Sequence, residues 1–385
     1  MTKVMTIVGT RPEIIRLSRV MARLDDTVDH VLVHTGQNYD YALGDIFFEE
    51  LGIRRPDHFM GIDTSSLGRV LGDTLIRSEE IMSEQEPDAV LVLGDTNSCV
   101  AAIMAKRLRI PVYHMEAGNR CFDENVPEET NRRLVDHVAD FNLTYTEHAR
   151  RNLLAEGLAP RRILVTGTPM AEVLNHYEPK IAASTATSDL GLEPRGYLLV
   201  SAHREENVDD PARLEALLDC ILAARDAFDV PVLVSTHPRT RKRLDLLALD
   251  PHREQRDLTG VTFHPPLGFL DYVRLQQDAL CVLSDSGTIS EESAILRFPA
   301  VTLRESIERP EALDAGAIIM TGLDPENVVE GIREALRGVG PDGRTQVSLP
   351  ECYDVPDCSA RVVRFIMSTH RRHETWSGLH ARGRQ

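Results

Sequence analysis

Short apolar runs alternate with longer amphipathic stretches along most of the chain. The runs are rich in Val, Ile and Leu, which is the pattern of parallel strands buried on both faces with helices between them. In the first half this predicts strands at residues 4–8, 31–33, 89–93, 112–114 and 142–145. In the second half it predicts them at 197–201, 232–235, 261–263, 280–283, 300–303 and 318–320. Leu67, Leu71, Leu75 and Met82 predict one helical stripe, and Thr146 and Gly157 the start and stop of another helix. Periodicity fades over residues 176–196 while Pro, Ser, Thr and Gly accumulate, so two doubly wound α/β domains are expected to divide there. Residues 360–368 predict a last helix, and the basic, polar tail 371–385 is expected to be disordered.

Composition narrows the partners. A chain of 385 residues is long enough for two cores. Its formal charge of -17 repels nucleic acid and anionic membrane surfaces at long range, so a phosphate-bearing ligand would need a local basic pocket. The apolar run 4–8 is too short for a signal peptide or a membrane span and lacks a basic leader, which makes a soluble, cytoplasmic protein the expectation. Six cysteines are scattered without a C-x-x-C pair, so reduced thiols are expected rather than a metal site or a disulfide framework.

Candidate chemistry sits where predicted strands end. Gly9-Thr10-Arg11-Pro12-Glu13 follows the first strand with capping-box spacing from Thr10 to Glu13 and Pro12 in the first turn. It reads either as a plain helix cap or as a nucleotide contact through Arg11 and the helix N-terminus. Ser284-Asp285-Ser286-Gly287-Thr288 has the same logic in the second half, where Ser286 and Gly287 would present a hydroxyl and an open backbone N–H to a diphosphate. Glu291, three residues beyond Thr288, is expected to cap that helix, which leaves Glu292 to accept from a ribose. A G-x-G-x-x-G fingerprint is absent, so NAD is not the expected dinucleotide and no cofactor is implied.

Carboxylates cluster in the first half. Asp95 and Glu116 end adjacent-looking strands, the position at which an open α/β sheet builds its ligand crevice, and Glu128 follows in Val126-Pro127-Glu128-Glu129. Taken singly, Asp95 also reads as an N-cap and Glu128 as a solvated loop charge. His203 and His237 end strands of the second half; a lone strand-end histidine is more often structural, but two opposite an acidic cluster point to a cleft for an anion. Arg16 and Arg309 would complete a basic lining.

Seven motifs in chain order carry a family resemblance: Gly9-Thr10-Arg11-Pro12-Glu13, Gly94-Asp95-Thr96, His114-Met115-Glu116-Ala117-Gly118, Pro127-Glu128-Glu129-Thr130-Asn131-Arg132, His203-Arg204-Glu205, Asp285-Ser286-Gly287 and Glu308-Arg309-Pro310-Glu311-Ala312. Together they resemble the non-hydrolysing UDP-N-acetylglucosamine 2-epimerase family, from about residue 4 to residue 330. The resemblance implies two Rossmann-like domains facing across a cleft in the manner of B-type glycosyltransferases. Their expected bounds are 1–172 and 173–356, with a helix at about 357–370 packing back on the first domain. It also implies a homodimer that interconverts UDP-GlcNAc and UDP-ManNAc. By family position, Asp95, Glu116, Glu128 and His203 would be catalytic, while Arg11, Arg16, Arg132, His237, Ser286, Gly287, Glu292 and Arg309 would hold the UDP-sugar.

The chemistry is coherent with that set. No carbonyl adjoins C2 of an N-acetylhexosamine, so simple deprotonation is prohibitive, and no redox motif offers a keto detour. The remaining route removes the C2 proton as UDP leaves C1, giving a 2-acetamidoglucal to which UDP adds back after protonation from the other face. Such a scheme needs acid–base groups for two faces and cationic donors for the departing diphosphate.

Three departures bear on specificity. Arg16 stands where the family usually has lysine, and Gly118-Asn119-Arg120-Cys121-Phe122-Asp123 replaces the usual Gly-Leu-Arg-Thr. With Thr236-His237-Pro238-Arg239-Thr240, that stretch is more similar to branches acting on deoxy or uronic N-acetylhexosamines, so a modified UDP-hexosamine is the alternative substrate. Asp40, after Gln37, replaces the second glutamine of the members activated by their own substrate, which implies weak activation of that kind. A B-type UDP-sugar glycosyltransferase would share the fold but need an acceptor, and a catalytically silent nucleotide-sugar sensor would bind UDP without exchange at C2.

Overall fold

The computed structural model describes residues 1–36, 48–248 and 256–379. Gln37 and Asp40 lie outside the described residues. The chain divides into two compact units, one of residues 1–176 and 354–385 and the other of residues 177–353. The division falls inside the stretch where periodicity fades, four residues beyond the expected bound at 172.

The first unit is built on a parallel sheet. Its strands are β1 (Lys3–Val8), β2 (Asp29–His34), β3 (His58–Phe59), β4 (Ala89–Leu93), β5 (Val112–Met115), β6 (Phe141–Thr144) and β7 (Ile163–Val165), in the spatial order β3-β2-β1-β4-β5-β6-β7. That is the Rossmann order, with its reversal point between β1 and β4. The apolar run of β4 is buried throughout, as a strand covered on both faces must be. The two edge strands, β3 and β7, went unpredicted, since two and three residues are too few to show a run.

The first crossover helix, Arg11–Thr27, starts as expected. Thr10 is extended at the N-cap, its N–H donates to Glu13 Oε2 at 2.7 Å, and Pro12 lies in the first turn. Its apolar side packs against the last long helix, Cys358–Thr369, so the end of the chain belongs to the first unit. Tyr113 from β5 donates or accepts with Thr369 Oγ1 at 2.6 Å and stacks on Phe141, and Phe365 meets both rings edge-on. The helix Leu67–Gln85 corrects the predicted stripe. Leu67 is 64% exposed, and the buried face is Val70, Thr74, Ser78 and Met82. Thr74 and Ser78 can be buried because their hydroxyls donate to helix carbonyls one turn back, at 2.7 and 2.5 Å, and their small size lets the neighbouring helix Ala101–Arg107 approach.

The second unit repeats the plan with β8 (Leu198–Ser201), β9 (Val232–Ser235), β10 (Val261–His264), β11 (Cys281–Ser284), β12 (Ala300–Thr302) and β13 (Ile319–Met320), parallel and ordered β10-β9-β8-β11-β12-β13. Alternate residues of β8 feed opposite layers. Leu198 and Val200 join one apolar cluster with Leu217, Ile221 and Ile332, while Tyr197 and Leu199 join the other with Leu275 and Phe298. Among the described residues, no helix is long and apolar enough to cross a membrane.

The expected disorder of the tail does not hold for residues 371–379. A further helix, His373–Ser377, follows Cys358–Thr369. Trp376, the one tryptophan of the chain, lies 6.1 Å from the Phe141 ring with the Arg161 guanidinium 5.5 Å over its own ring. Arg161 and Arg162 also hydrogen-bond to Trp376 O and Ser377 Oγ, and it is these long-range contacts, invisible to local composition, that order the segment. Trp376→Ala is expected to lower the stability of the first unit by about 1–3 kcal/mol, the cost of a half-buried indole and its cation–π partner. Denaturant unfolding followed by circular dichroism checks this, and an unchanged midpoint would contradict it.

Candidate active site

In the first unit the register of β4 on β5 pairs Leu93 with Met115, so the next residues, Gly94-Asp95 and Glu116, emerge side by side at neighbouring strand ends. Glu116 is buried and has a left-handed backbone, φ 64°, a conformation that costs a side-chain-bearing residue about 1–2 kcal/mol. The carboxylate forms a tight ion pair with the Arg16 guanidinium and accepts from Asn119 Nδ2 at 3.4 Å. The turn that follows requires glycine. Gly118 has φ 80°, and a Cβ there would lie 2.3 Å from the carbonyl oxygen of Ala149.

Asp95 is gripped by Arg132, whose Nε and Nη2 both donate to Oδ2, the former at 3.1 Å. Its carbonyl oxygen accepts from Asn131 Nδ2 at 3.0 Å. Arg132 sits one turn along the helix Glu128–Val138, and Glu128 is that helix's first residue, partly exposed. Arg11 is the first residue of the helix Arg11–Thr27 and is likewise partly exposed. Glu129 went unremarked in the sequence reading, yet it is the buried member of the pair. Burial works against its charge, but Arg132 together with the backbone N–H and the thiol of Cys121 holds its carboxyl below the usual range. A glutamate next to a glutamate gives no sequence signal as to which of the two turns inward.

The second unit gathers its candidates around the ends of β8 and β11. Asp285 is wholly buried and accepts the backbone N–H groups of His203 and Arg204 at 3.0 Å, and Asn207 Nδ2 at 3.1 Å. His203 and His237 are exposed, with ring centroids 5.8 Å apart. Arg309 Nη1 donates to the carbonyl of Gly287 at 2.6 Å, and a Cβ on Gly287 would lie 2.4 Å from the same nitrogen, so only glycine lets the guanidinium settle there. Ser286 Oγ lies 2.9 Å from Thr288 Oγ1. Glu292 is buried and accepts from Gln276 Nε2 at 2.7 Å.

The expected cap by Glu291 is not formed. Thr288 is helical and makes no side-chain cap, and Glu291 is instead buried 3.7 Å from the Arg309 Nε, because pairing a buried guanidinium outweighs closing a helix end already satisfied by Ser286. Arg204, quoted in the sequence only as part of a motif, bridges Asp285 O at 3.1 Å and Glu308 at 3.2 Å. Burial alone would raise the Glu308 carboxyl, yet Arg204 and Arg304, joined by Arg309, hold it far below the usual range. Next to it, burial pushes Glu311 up, although Tyr353 donates to it at 2.9 Å.

Each unit therefore carries ionic side chains at the carboxyl ends of the strands that flank its reversal point, the place where doubly wound sheets bind ligands. The class so defined is an α/β enzyme of two Rossmann-like domains. A family model described as UDP-N-acetylglucosamine 2-epimerase matches residues 22–367. The structure of UDP-N-acetylglucosamine 2-epimerase from Rickettsia bellii is similar at 42% identity and a TM-score of 0.89, covering 97% of this chain and 98% of that one. The Methanocaldococcus jannaschii UDP-GlcNAc 2-epimerase, solved with UDP-GlcNAc and UDP, is similar at 33% identity and a TM-score of 0.87, covering 95% of this chain and all of its own. The UDP-2,3-diacetamido-2,3-dideoxy-D-glucuronate 2-epimerase of Pseudomonas aeruginosa is 34% identical over 94% of this chain and 99% of its own. The chain belongs to the UDP-N-acetylglucosamine 2-epimerase family and is an isomerase acting at C2 of a nucleotide sugar.

The Glu308 environment gives a pH prediction. Its carboxyl is depressed in the folded state, so below about pH 4.5 the unfolded chain takes up a proton that the native one refuses. Stability should fall with acidification by roughly 1.4 kcal/mol per pH unit from this group alone, and the contribution is fully present at neutral pH. Glu308→Gln is expected to flatten that acid slope and to cost about 3–5 kcal/mol at neutral pH, by leaving buried guanidinium groups without their counter-charge. Urea titrations at several pH values check both, and an unchanged acid slope would refute the assignment.

Proposed function

We propose that the protein catalyses the reversible C2 epimerisation of a UDP-N-acetylhexosamine, with UDP-GlcNAc and UDP-ManNAc as the pair. The observation that carries this reading is the mounting of Asp95, Glu116 and Glu128 on the ends of β4 and β5 and the start of the helix Glu128–Val138, in a chain matched by the epimerase family over most of its length. In the reaction a carboxylate of the first unit takes the C2 proton as the C1–O bond to UDP breaks, leaving the 2-acetamidoglucal. A proton is then delivered to C2 from the opposite face and the UDP oxygen re-forms its bond to C1. Arg309, Ser286 and the N–H of Gly287 hold the diphosphate while it is free, joined by Arg11 and His237, and Glu292 serves the ribose. His203 completes the acid–base set. Arg16 and Arg132 hold Glu116 and Asp95 in place for the sugar. The enzyme works as a cytoplasmic homodimer and needs no added cofactor.

A second substrate is favoured by one observation. Similarity to the diacetamido-glucuronate epimerase extends over 94% of the chain, so a modified UDP-hexosamine, deoxy or uronic, is the alternative to UDP-GlcNAc.

The test is incubation with UDP-GlcNAc and with its 6-deoxy and uronic forms, without acceptor, in deuterated water. Deuterium at C2 of the recovered nucleotide sugar is expected for the true substrate, whereas a glycosyltransferase or a sensor would leave C2 unlabelled and a hydrolase would accumulate free UDP. Asp95→Asn, Glu116→Gln and Glu128→Gln should each lower the exchange rate about 100- to 10,000-fold. Arg309→Ala should instead weaken UDP binding by about tenfold or more in calorimetry, the loss of a charge-assisted contact. Native exchange rates in all three carboxylate variants would remove the proposed roles.

A further inference from the structure

His114 lies in β5 with its side chain wholly buried, two residues before Glu116. Its Nε2 is 2.7 Å from the carbonyl oxygen of Gly94, and its Nδ1 is 2.9 Å from Asp136 Oδ1. A carbonyl oxygen only accepts. The Asp136 carboxylate is also an acceptor here, since it receives the N–H of Gly118 at 3.1 Å and Arg120 Nη1 at 2.7 Å. Each ring nitrogen therefore faces an acceptor, and the ring bridges Gly94 and Asp136. Arg120 in turn forks onto both oxygens of Glu156, at 2.8 and 2.7 Å. His137 meets Glu156 as well, at 3.0 Å, and the buried Arg120 and Asp136 are paired with each other, which is how charge survives out of water.

What this set joins is specific. Gly94 immediately precedes Asp95, and Gly118 follows Glu116 by two residues. Asp136 lies on the helix Glu128–Val138, one turn beyond Arg132, the arginine that grips Asp95, and that helix begins with Glu128. We propose that His114 is a positioning residue for the epimerase reaction: set between the Gly94 carbonyl and Asp136, it ties the end of β4, the turn after β5 and the helix Glu128–Val138 together and so sets the spacing of Asp95, Glu116 and Glu128. The inference rests on the carboxylate roles given under Proposed function.

Two substitutions separate the two bonds. His114→Gln keeps a donor where Nε2 stands and sets a carbonyl oxygen against Asp136, while His114→Asn keeps a donor where Nδ1 stands and releases Gly94. Each is expected to lower kcat for C2 exchange about 100-fold, the cost of misplacing reacting groups by an ångström, with KM and the Kd for UDP within about threefold of native, because Arg309, Ser286 and Gly287, assigned to the diphosphate, lie in the second unit. Adding Asp136→Asn to H114Q gives the glutamine oxygen a donor and leaves an oxygen for Gly118 and Arg120, so the double variant should regain about tenfold of kcat. Native kcat in H114Q and H114N, no recovery in the double variant, or a fall in UDP affinity that tracks kcat would each overturn the proposal. Absence of exchange in the unmutated enzyme would instead overturn the epimerase reading.

Discussion

Both sheets reverse their winding between two adjacent parallel strands, and at each reversal a buried carboxylate spans the gap. In the first unit Glu13 accepts the backbone N–H groups of Gly9 and Thr10 beyond β1 and the hydroxyls of Thr96 and Ser98 beyond β4. In the second, Asp285 beyond β11 accepts the N–H groups of His203 and Arg204 beyond β8. Parallel strands separated by a crossover share no tight turn, so the loops that leave them would otherwise carry unpaired amide groups into the interior. An acceptor with two oxygens can satisfy several such donors at once. The candidate functional side chains then stand on loops that are pinned from below.

The same economy explains how a chain of formal charge -17 can hold basic groups for a phosphate ligand. Its site arginines are not isolated. Arg16 is paired with Glu116, Arg132 with Asp95 and Glu129, and Arg204, Arg304 and Arg309 are arranged around Glu308 and Glu291. Pairing lowers the cost of burying a guanidinium and fixes its orientation, which suits a forked contact to a carboxylate or a phosphate. The cost appears as local strain. Glu116 takes a left-handed backbone, and Gly118 is pressed against the helix Glu147–Ala155, as expected where a side chain must be aimed rather than merely accommodated.

Much of the architecture was legible in the sequence because its signals are local. Apolar runs gave eleven of the thirteen described strands, and the Thr10–Glu13 spacing gave a helix start that the structure contains. The strand-end positions of Asp95, Glu116, His203 and Ser286 followed from the same runs. Local signals failed at the sheet edges, where β3 and β7 are too short to show a period, and on the helix Leu67–Gln85, where small hydroxyl residues bury a face that hydrophobicity assigns to leucine. They also failed at the tail, which is ordered by Phe141 and Arg161 from more than two hundred residues away.

By itself, then, the sequence determined where strands and helices fall, how they alternate and which loops carry ionisable side chains, since periodicity and capping depend only on near neighbours along the chain. Only the tertiary structure decided which carboxylate each arginine takes, that Glu129 and not Glu128 turns inward, that Glu291 pairs with Arg309 instead of capping its helix, and that His114 lies between the Gly94 carbonyl and Asp136. The physical reason is that an ion pair or a buried hydrogen bond is settled by distance in space and by the groups competing for it. Neither is written in the spacing of residues along the chain.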